Sequence, residues 1–316
     1  MIEVTGLTKS YGGFLAVDDI SFQCQPGRVT GFLGPNGAGK TTTMRVMVGL
    51  TPATRGETLI GGHRYRDIPN PGTHVGVLLD ASAQHAGRTG REVLMVGAKT
   101  MGLPESRVDE MLELVSLSQT EAKRRLRNYS LGMRQRLGIA HALLGDPSVL
   151  ILDEPANGLD PAGIRWMRDL LKHYANRGGT VLLSSHLLNE VELIADEMIL
   201  IGRGKIVARG NKKTLLAERN MGTFVASVDH EALVGALAEA GFQSHPVGEG
   251  VRVEAEALQV GQLAADRRLV LTELRSADGG LEDLFLELTS DSQRDDLTHE
   301  PDPHPHQQDD QQGALA

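Results

Sequence analysis

The stretch Gly34-Pro35-Asn36-Gly37-Ala38-Gly39-Lys40-Thr41 decides the fold of this chain. It has the pattern G-x-x-x-x-G-K-[ST], and it lies between a strand-like apolar run at residues 29–33 and a helix-like run at residues 41–49. A strand, a glycine-rich turn and a helix in that order are the context in which this pattern marks a phosphate-binding loop. The alternative is a glycine-rich turn before a helix, with no ligand.

Each residue type in the loop suits a bound polyphosphate. Three glycines let backbone N–H groups approach phosphate oxygens closely, and the helix that follows adds its dipole and its free N–H groups. The lysine is a point charge for the outer phosphates, and the hydroxyl of Thr41 suits Mg²⁺, which binds through few protein oxygens. The predicted phosphate-contacting residues are Gly34, Pro35, Asn36, Gly37, Ala38, Gly39, Lys40, Thr41 and Thr42.

Two carboxylates follow an apolar run at residues 149–152, which is typical of a strand buried on both faces of a parallel sheet. Asp153 and Glu154 at the end of such a strand are expensive to bury without a cation or a catalytic role. Asp153 is therefore predicted to hold Mg²⁺, and Glu154 to accept a proton from an attacking water. The alternative is a pair of acids capping a turn before Pro155.

Two further residues are candidates for contacts with a nucleotide. His186 follows an apolar strand at residues 180–184, at the sheet edge where the two acids also emerge, and it is predicted to contact the γ-phosphate. Tyr11 is the first aromatic residue before the loop, and an exposed ring there can stack on a base. A structural histidine and an ordinary packed tyrosine are the alternatives.

Composition limits the classes of protein that fit. The formal net charge is -9, and residues 291–316, with seven acids and one base, carry -6 of it. The remaining body is nearly neutral, which gives no electrostatic attraction to nucleic acid. Cys24 is the only cysteine, so an intramolecular disulfide is excluded, and its place in an apolar alternation predicts a buried small hydrophobe. No run of about 18 apolar residues and no export signal is found, so any membrane role is expected to come through a partner.

The order of the motifs resembles the ATP-binding subunits of ABC transporters over residues 1–210. The resemblance rests on the phosphate loop, the acid pair, the loop with Asp160, His186, and the signature-like run Tyr129-Ser130-Leu131-Gly132-Met133. It implies an α/β fold: a P-loop NTPase core of ABC ATPase type with an α-helical subdomain at about 87–145. A small α+β ferredoxin-like domain is predicted at 221–290, because residues 223–274 read as strand, helix, strand, strand, helix, strand.

The domain limits are thus predicted as 1–220 for the ATPase and 221–290 for the accessory domain, which ends in an amphipathic helix at 281–288. The ending Leu281-Glu-Asp-Leu-Phe-Leu-Glu-Leu-Thr289 resembles ABC-2-type exporter ATPases. An acidic tail at 291–316 is predicted to be disordered, because it has almost nothing apolar to bury.

The resemblance also implies roles and partners. Tyr11 would stack on adenine, Glu154 would be the general base and His186 the γ-phosphate sensor, with ATP and Mg²⁺ as cofactors. Ser130 and Gly132 of one subunit would face the ATP on the other, so that two ATPs hold a head-to-tail homodimer with Asp160 at its interface. The dimer would drive a separate membrane-spanning permease that exports a drug, antibiotic or lipid-like compound. The chain would then be cytoplasmic and peripheral on the inner face of the membrane.

Two positions depart from the family pattern. The family's Leu-Ser-Gly-Gly-Gln becomes Tyr-Ser-Leu-Gly-Met at residues 129–133. After the strand-like run at 74–79 the family has a glutamine that touches Mg²⁺ and couples the site to the membrane subunit. Here Asp80 follows the strand, with Gln84 four residues later, and Asp80 is predicted to be the equivalent ligand because a carboxylate oxygen suits Mg²⁺.

Three alternative functions remain. A soluble ABC-type ATPase acting on the ribosome or DNA is disfavoured because the chain has one ATP cassette and no evident basic face. A GTP-binding switch needs Asn-Lys-x-Asp, and the nearest string, at residues 211–214, lacks the aspartate. A pure nucleotide-binding regulator would not need Glu154.

Overall fold

The structure is a computed structural model that describes residues 1–217, 222–248 and 250–276. The strands up to residue 210 are Ile2–Tyr11 (β1), Phe14–Cys24 (β2), Arg28–Leu33 (β3), Arg55–Ile60 (β4), Val75–Leu78 (β5), Val149–Leu152 (β6), Thr180–Ser185 (β7), Glu197–Gly202 (β8) and Lys205–Gly210 (β9). The helices up to residue 217 are Lys40–Met47 (α1), Gly90–Met101 (α2), Ser106–Leu114 (α3), Gln119–Ala122 (α4), Leu131–Leu143 (α5), Pro161–Asn176 (α6), Leu188–Glu192 (α7) and Lys212–Ala217 (α8). Short 3-10 turns lie at Tyr65–Asp67, Pro71–Thr73 and Leu126–Asn128.

A six-stranded sheet forms the centre of the molecule, in the order β5-β6-β7-β3-β8-β9. All neighbours pair in parallel except β8 and β9. Successive residues of β6 point to opposite faces: Val149 and Ile151 pack with α1 and the strands of a second sheet, whereas Leu150 and Leu152 pack with the helices of the other face. The strand is therefore buried on both faces, as its continuous apolar run predicts.

The sheet topology places three loops at one edge. Strands β3, β7 and β6 are consecutive neighbours and run in parallel, so their carboxyl ends lie side by side. The residues that follow these ends are the phosphate loop, His186 and the acid pair. Such an edge is where open α/β sheets bind ligands.

The helical region predicted at 87–145 is observed as α2, α3, α4 and α5, between β5 and β6. Helix α2 begins at a capping box, in which the Thr89 hydroxyl accepts from the Glu92 amide and the Glu92 carboxylate accepts from the Thr89 amide. Three apolar residues of α3 lie at helical spacing and are buried against α5 and the sheet: Val108, Met111 and Leu112.

A separate antiparallel sheet of order β2-β1-β4 covers the α1 face of the central sheet. Cys24 ends β2 and is fully buried, and burial raises the pKa of its thiol to about 12, in agreement with a packing role. Strand β1 extends to Tyr11, because the hairpin pairs Tyr11 with Phe14 across the turn.

The last described elements are Thr223–Ser227 (β10), His230–Glu239 (α9), Ser244–Val247 (β11), Gly250–Val253 (β12), Ala257–Asp266 (α10) and Leu271–Ser276 (β13). They form an antiparallel sheet of order β11-β12-β10-β13 over a small core that includes Val225, Leu233 and Val251. The element order is the split βαβ arrangement predicted from sequence. The predicted boundary at 220/221, the helix at 281–288 and the acidic tail lie outside the described residues.

Candidate active site

The phosphate loop connects the end of β3 to the first residue of α1, so the free N–H groups of that helix face the loop. Gly37 and Gly39 have φ angles of 82° and 106°, which L side chains rarely adopt. A Cβ atom on Gly39 would lie 2.5 Å from the carbonyl oxygen of Ala16, and one on Gly34 would clash with the carbonyl oxygen of Ile201. Glycine is therefore favoured by conformation at Gly37, by space at Gly34, and by both at Gly39.

Lys40 is buried and its ammonium group is directed back into the loop. The Nζ atom donates to the carbonyl oxygen of Gly34 at 2.6 Å and to that of Pro35 at 3.2 Å, and it lies 3.4 Å from Oε1 of Glu154. The ammonium of Lys40 thus links the phosphate loop to Glu154, one of the two acids. A phosphate placed in the loop would meet this charge directly.

Thr41 and Asp153 form the second connection between the loop and β6. The Thr41 hydroxyl donates to Oδ2 of Asp153 at 2.6 Å, and the Ser184 hydroxyl donates to Oδ1. The Ser184 oxygen in turn accepts from the Glu154 amide at 3.0 Å. Ser184, near the carboxyl end of strand β7, therefore orients both acids. A hydroxyl beside a carboxylate is the hard-oxygen donor set that Mg²⁺ prefers.

Glu154 lies between two basic side chains. Its Oε2 atom is 2.8 Å from Nδ1 of His186, while Oε1 faces Lys40. Its backbone has a φ of 48°, a left-handed conformation that costs energy for a residue other than glycine. The fold thus holds this carboxylate in a strained position at the sheet edge.

Ser130 and Gly132 lie at the start of α5. Ser130 is the N-cap, its hydroxyl accepting from the Met133 amide at 3.2 Å, and a Cβ atom on Gly132 would lie 2.7 Å from the carbonyl oxygen of Gly158. The side chain of Leu131 also contacts Gly158, which has a φ of 76°. The start of α5 thus packs on the loop that follows Glu154. The contacts described for Ser130 do not reach the phosphate loop of the same chain.

Three other predicted residues make local contacts of their own. Tyr11 is 46% exposed, and the Lys9 ammonium lies 4.6 Å from its ring centroid. Asp80 is exposed two residues beyond β5, the neighbour of β6, and its Oδ1 accepts from the Ser82 amide at 2.7 Å. Asp160 is the N-cap of α6, accepting from the Gly163 amide at 2.8 Å.

Sequence reasoning missed two residues of this region, Ser184 and Gln135. The signal for Ser184 is a polar residue at the end of an apolar strand, two residues before His186. Gln135 belongs to the run Arg134-Gln135-Arg136 that follows the signature-like residues, but its contact with Glu154 was not predicted, because it depends on how α5 packs.

The central parallel sheet, the phosphate loop and the paired acids define a P-loop nucleotide-binding ATPase. The family model described as "ABC transporter" matches residues 17–157. The uncharacterized ABC transporter ATP-binding protein YhcH of Bacillus subtilis is 37% identical over 93% of this chain and 98% of that protein. The bacitracin transport ATP-binding protein BcrA of Enterococcus faecalis is 35% identical over 91% of this chain and 96% of that protein.

A solved structure of an ATP-binding subunit of an ABC transporter superposes with a TM-score of 0.63 at 27% identity, covering 69% of this chain and 92% of that one. This chain belongs to the family of ABC transporter ATP-binding proteins, and it is an ATPase. Among the residues that the structure describes, no helix has the length and apolar character needed to cross a bilayer.

Proposed function

We propose that two copies of this chain close head to tail around two Mg-ATP molecules and that ATP hydrolysis drives a separate membrane permease. The observation that carries the proposal is the joining of Lys40, Glu154 and His186 at one sheet edge, with Thr41 hydrogen-bonded to Asp153 beside them. A regulator that only bound nucleotide would not need a strained carboxylate at this place.

Each residue has a separate task in the reaction. Lys40 binds the outer phosphates, exchanging its contacts with the carbonyls of Gly34 and Pro35 for phosphate oxygens. Glu154 accepts a proton from the water that attacks the γ-phosphorus, while His186 orients that carboxylate and contacts the γ-phosphate. The bond between the γ-phosphorus and its bridging oxygen breaks, which gives ADP and inorganic phosphate.

Thr41 and Asp153 are the residues that would hold Mg²⁺, with Asp80 as a further ligand. Their oxygens match the preference of this ion for carboxylates and hydroxyls. When bound, Mg²⁺ neutralises charge that develops on the phosphates. Ser130 and Gly132 of the second copy would complete the site, since their described contacts within one chain do not include the phosphate loop.

The cargo and the permease are inferred from the relatives. A protein named for bacitracin transport matches nearly this whole chain, which supports export of a drug, antibiotic or lipid-like compound. The chain would lie in the cytoplasm on the inner face of the membrane. The comparisons do not favour the soluble ATPase of the ribosome or DNA.

A groove on the helical region is the proposed docking place for the permease. The groove has a volume of about 640 Å³ and lies beside the loop that follows Asp80. Val96 lines it and is 46% exposed, and most of the charged residues at its rim are basic. The lining residues are His85, Gly87, Arg88, Glu92, Met95, Val96, Lys99 and Arg125. A permease loop with an apolar residue and acidic neighbours would fit this groove.

The test is co-expression with the membrane protein encoded beside this chain. The chain is expected to co-purify in detergent and to show partner-stimulated ATPase activity that is lost in Glu154→Gln. Val96→Arg should keep the basal rate and lose the stimulation, whereas Val207→Arg, a matched exposed valine on β9, should keep both. A chain that neither co-purifies nor responds would contradict the transport proposal and favour a soluble role.

A further inference from the structure

Gln135 is a buried amide that joins the signature helix α5 to the backbone of Glu154. It is 5% exposed, and its Nε2 atom donates to the carbonyl oxygen of Glu154 at 3.3 Å. We propose that Gln135 is a positioning residue for ATP hydrolysis, which holds the main chain of Glu154 in the conformation that directs its carboxylate at Lys40 and His186. The inference rests on the proposed role of Glu154 as the base.

The backbone of Glu154 needs such support because its φ of 48° is unfavourable for a residue with a side chain. Hydrogen bonds hold the peptide groups on both sides of this residue. The amide of Glu154 donates to the Ser184 hydroxyl at 3.0 Å, and its carbonyl oxygen accepts from Gln135 and from the Asn157 amide at 3.2 Å. Within the described part of the chain, Gln135 supplies the one side-chain hydrogen bond to this carbonyl.

The stability of the fold does not by itself account for an amide at this position, although its Nε2 makes one hydrogen bond. The Oε1 atom of Gln135 is buried and has no hydrogen-bond partner among the described residues. An unpaired buried polar atom lowers stability, and an apolar side chain of similar shape removes that cost. The Glu154 carbonyl would still be paired with Asn157 after such a change. A role in aligning Glu154 accounts for the amide.

The same helix contacts the segment after Glu154 at a second place. Its first residues, Leu131 and Gly132, pack against Gly158. Helix α5 therefore contacts the chain both at Glu154 and four residues later, so a displacement of the helix start is expected to move the carboxylate. A ligand that engages Ser130 would act on the base of the same chain through these two contacts.

The test uses the full chain without a permease and compares it with Gln135→Met. We expect kcat to fall about 10- to 100-fold, the usual cost of misplacing a reacting group by about 1 Å. The affinity for ATP, measured at equilibrium, should stay within about twofold, because the phosphate loop is untouched, and the unfolding midpoint should not fall. Ile139→Val, a buried change one turn along α5, is the control and should leave kcat unchanged.

A double substitution separates positioning from a general structural effect. If Gln135 acts through the carboxylate, Gln135→Met should cause no further loss of kcat in a chain that already carries Glu154→Gln. The inference would be overturned if Gln135→Met lowered kcat by the same factor in the wild-type chain and in the Glu154→Gln chain, or if Gln135→Met alone kept the wild-type kcat. Either result would leave the role of Glu154 intact. Normal turnover by Glu154→Gln alone would overturn both.

Discussion

At the scale of single residues, the site is built around the carboxylate of Glu154. Glu154 lies between the ammonium of Lys40 and the imidazole of His186, and its backbone is held by Ser184 and Gln135. Opposite charge on one side and a ring nitrogen on the other fix where the carboxylate points. The arrangement suits a base that must take a proton from a water in one place.

Asp80 is the residue whose role depends most on the comparison with the family pattern. We expect Asp80→Gln to raise the Mg²⁺ concentration that gives half-maximal ATPase activity by about tenfold, the usual cost of changing a group around a metal. The measurement is a Mg²⁺ titration of the ATPase rate, repeated with the permease present.

Asp67→Asn is a suitable control, because Asp67 is exposed in a 3-10 turn far along the chain from the acids. If Asp80→Gln changes neither the Mg²⁺ dependence nor the response to the permease, Asp80 is not the ligand and coupling residue that we predict.

At the scale of elements, the pairing of α2 with α5 depends on a close contact. His141 in α5 faces Gly97 in α2 so closely that a Cβ atom on Gly97 would lie 2.8 Å from its Nε2. Burial of the ring lowers the pKa of His141 below its usual value of about 6.5. The neutral ring is therefore the form that the folded state prefers.

This lowered pKa predicts how stability changes with pH. Below about pH 6.5 the unfolded chain binds a proton at His141 that the folded chain does not, so this residue makes the free energy of unfolding fall as the pH falls. The slope from one such group is at most about 1.4 kcal/mol per pH unit. Denaturant unfolding at pH 5.5 to 7.5 should give a smaller slope for His141→Gln than for the wild type.

His173→Gln is the control for that series, because His173 is exposed near the end of α6. The control should keep the wild-type slope. A wild-type slope in His141→Gln as well would show that His141 does not contribute to the pH dependence.

Elements also show what local sequence could and could not predict. The phosphate loop, β6 with its two acids, and the N-cap at Asp160 were predictable because each depends on a few consecutive residues. Strand β8 at Glu197–Gly202 was not predicted, although its run of apolar residues resembles that of β6. The contact between Gln135 and Glu154 was out of reach, because residues in separate elements meet only once the helix has packed on the loop.

At the scale of the whole molecule, none of the described hydrogen bonds or ion pairs within one chain links the two halves of the predicted site directly. Lys40, Thr41, Asp153 and Glu154 form one group, while Ser130 packs with the start of α5. The head-to-tail dimer implied by the resemblance would bring the second group of one copy to the first group of the other. Nucleotide would then act as the link between two copies.

The most direct test is the ATPase rate and the molecular mass of Glu154→Gln with Mg-ATP, measured by a turnover assay and by sedimentation. The rate should fall by a factor of about 10² to 10⁴, the usual contribution of a positioned base, and ATP-bound dimers should accumulate. Glu113→Gln, an exposed glutamate in α3, should behave as the wild type, and Lys40→Ala should remain monomeric. Normal turnover by Glu154→Gln, or a monomer with ATP bound, would contradict the account.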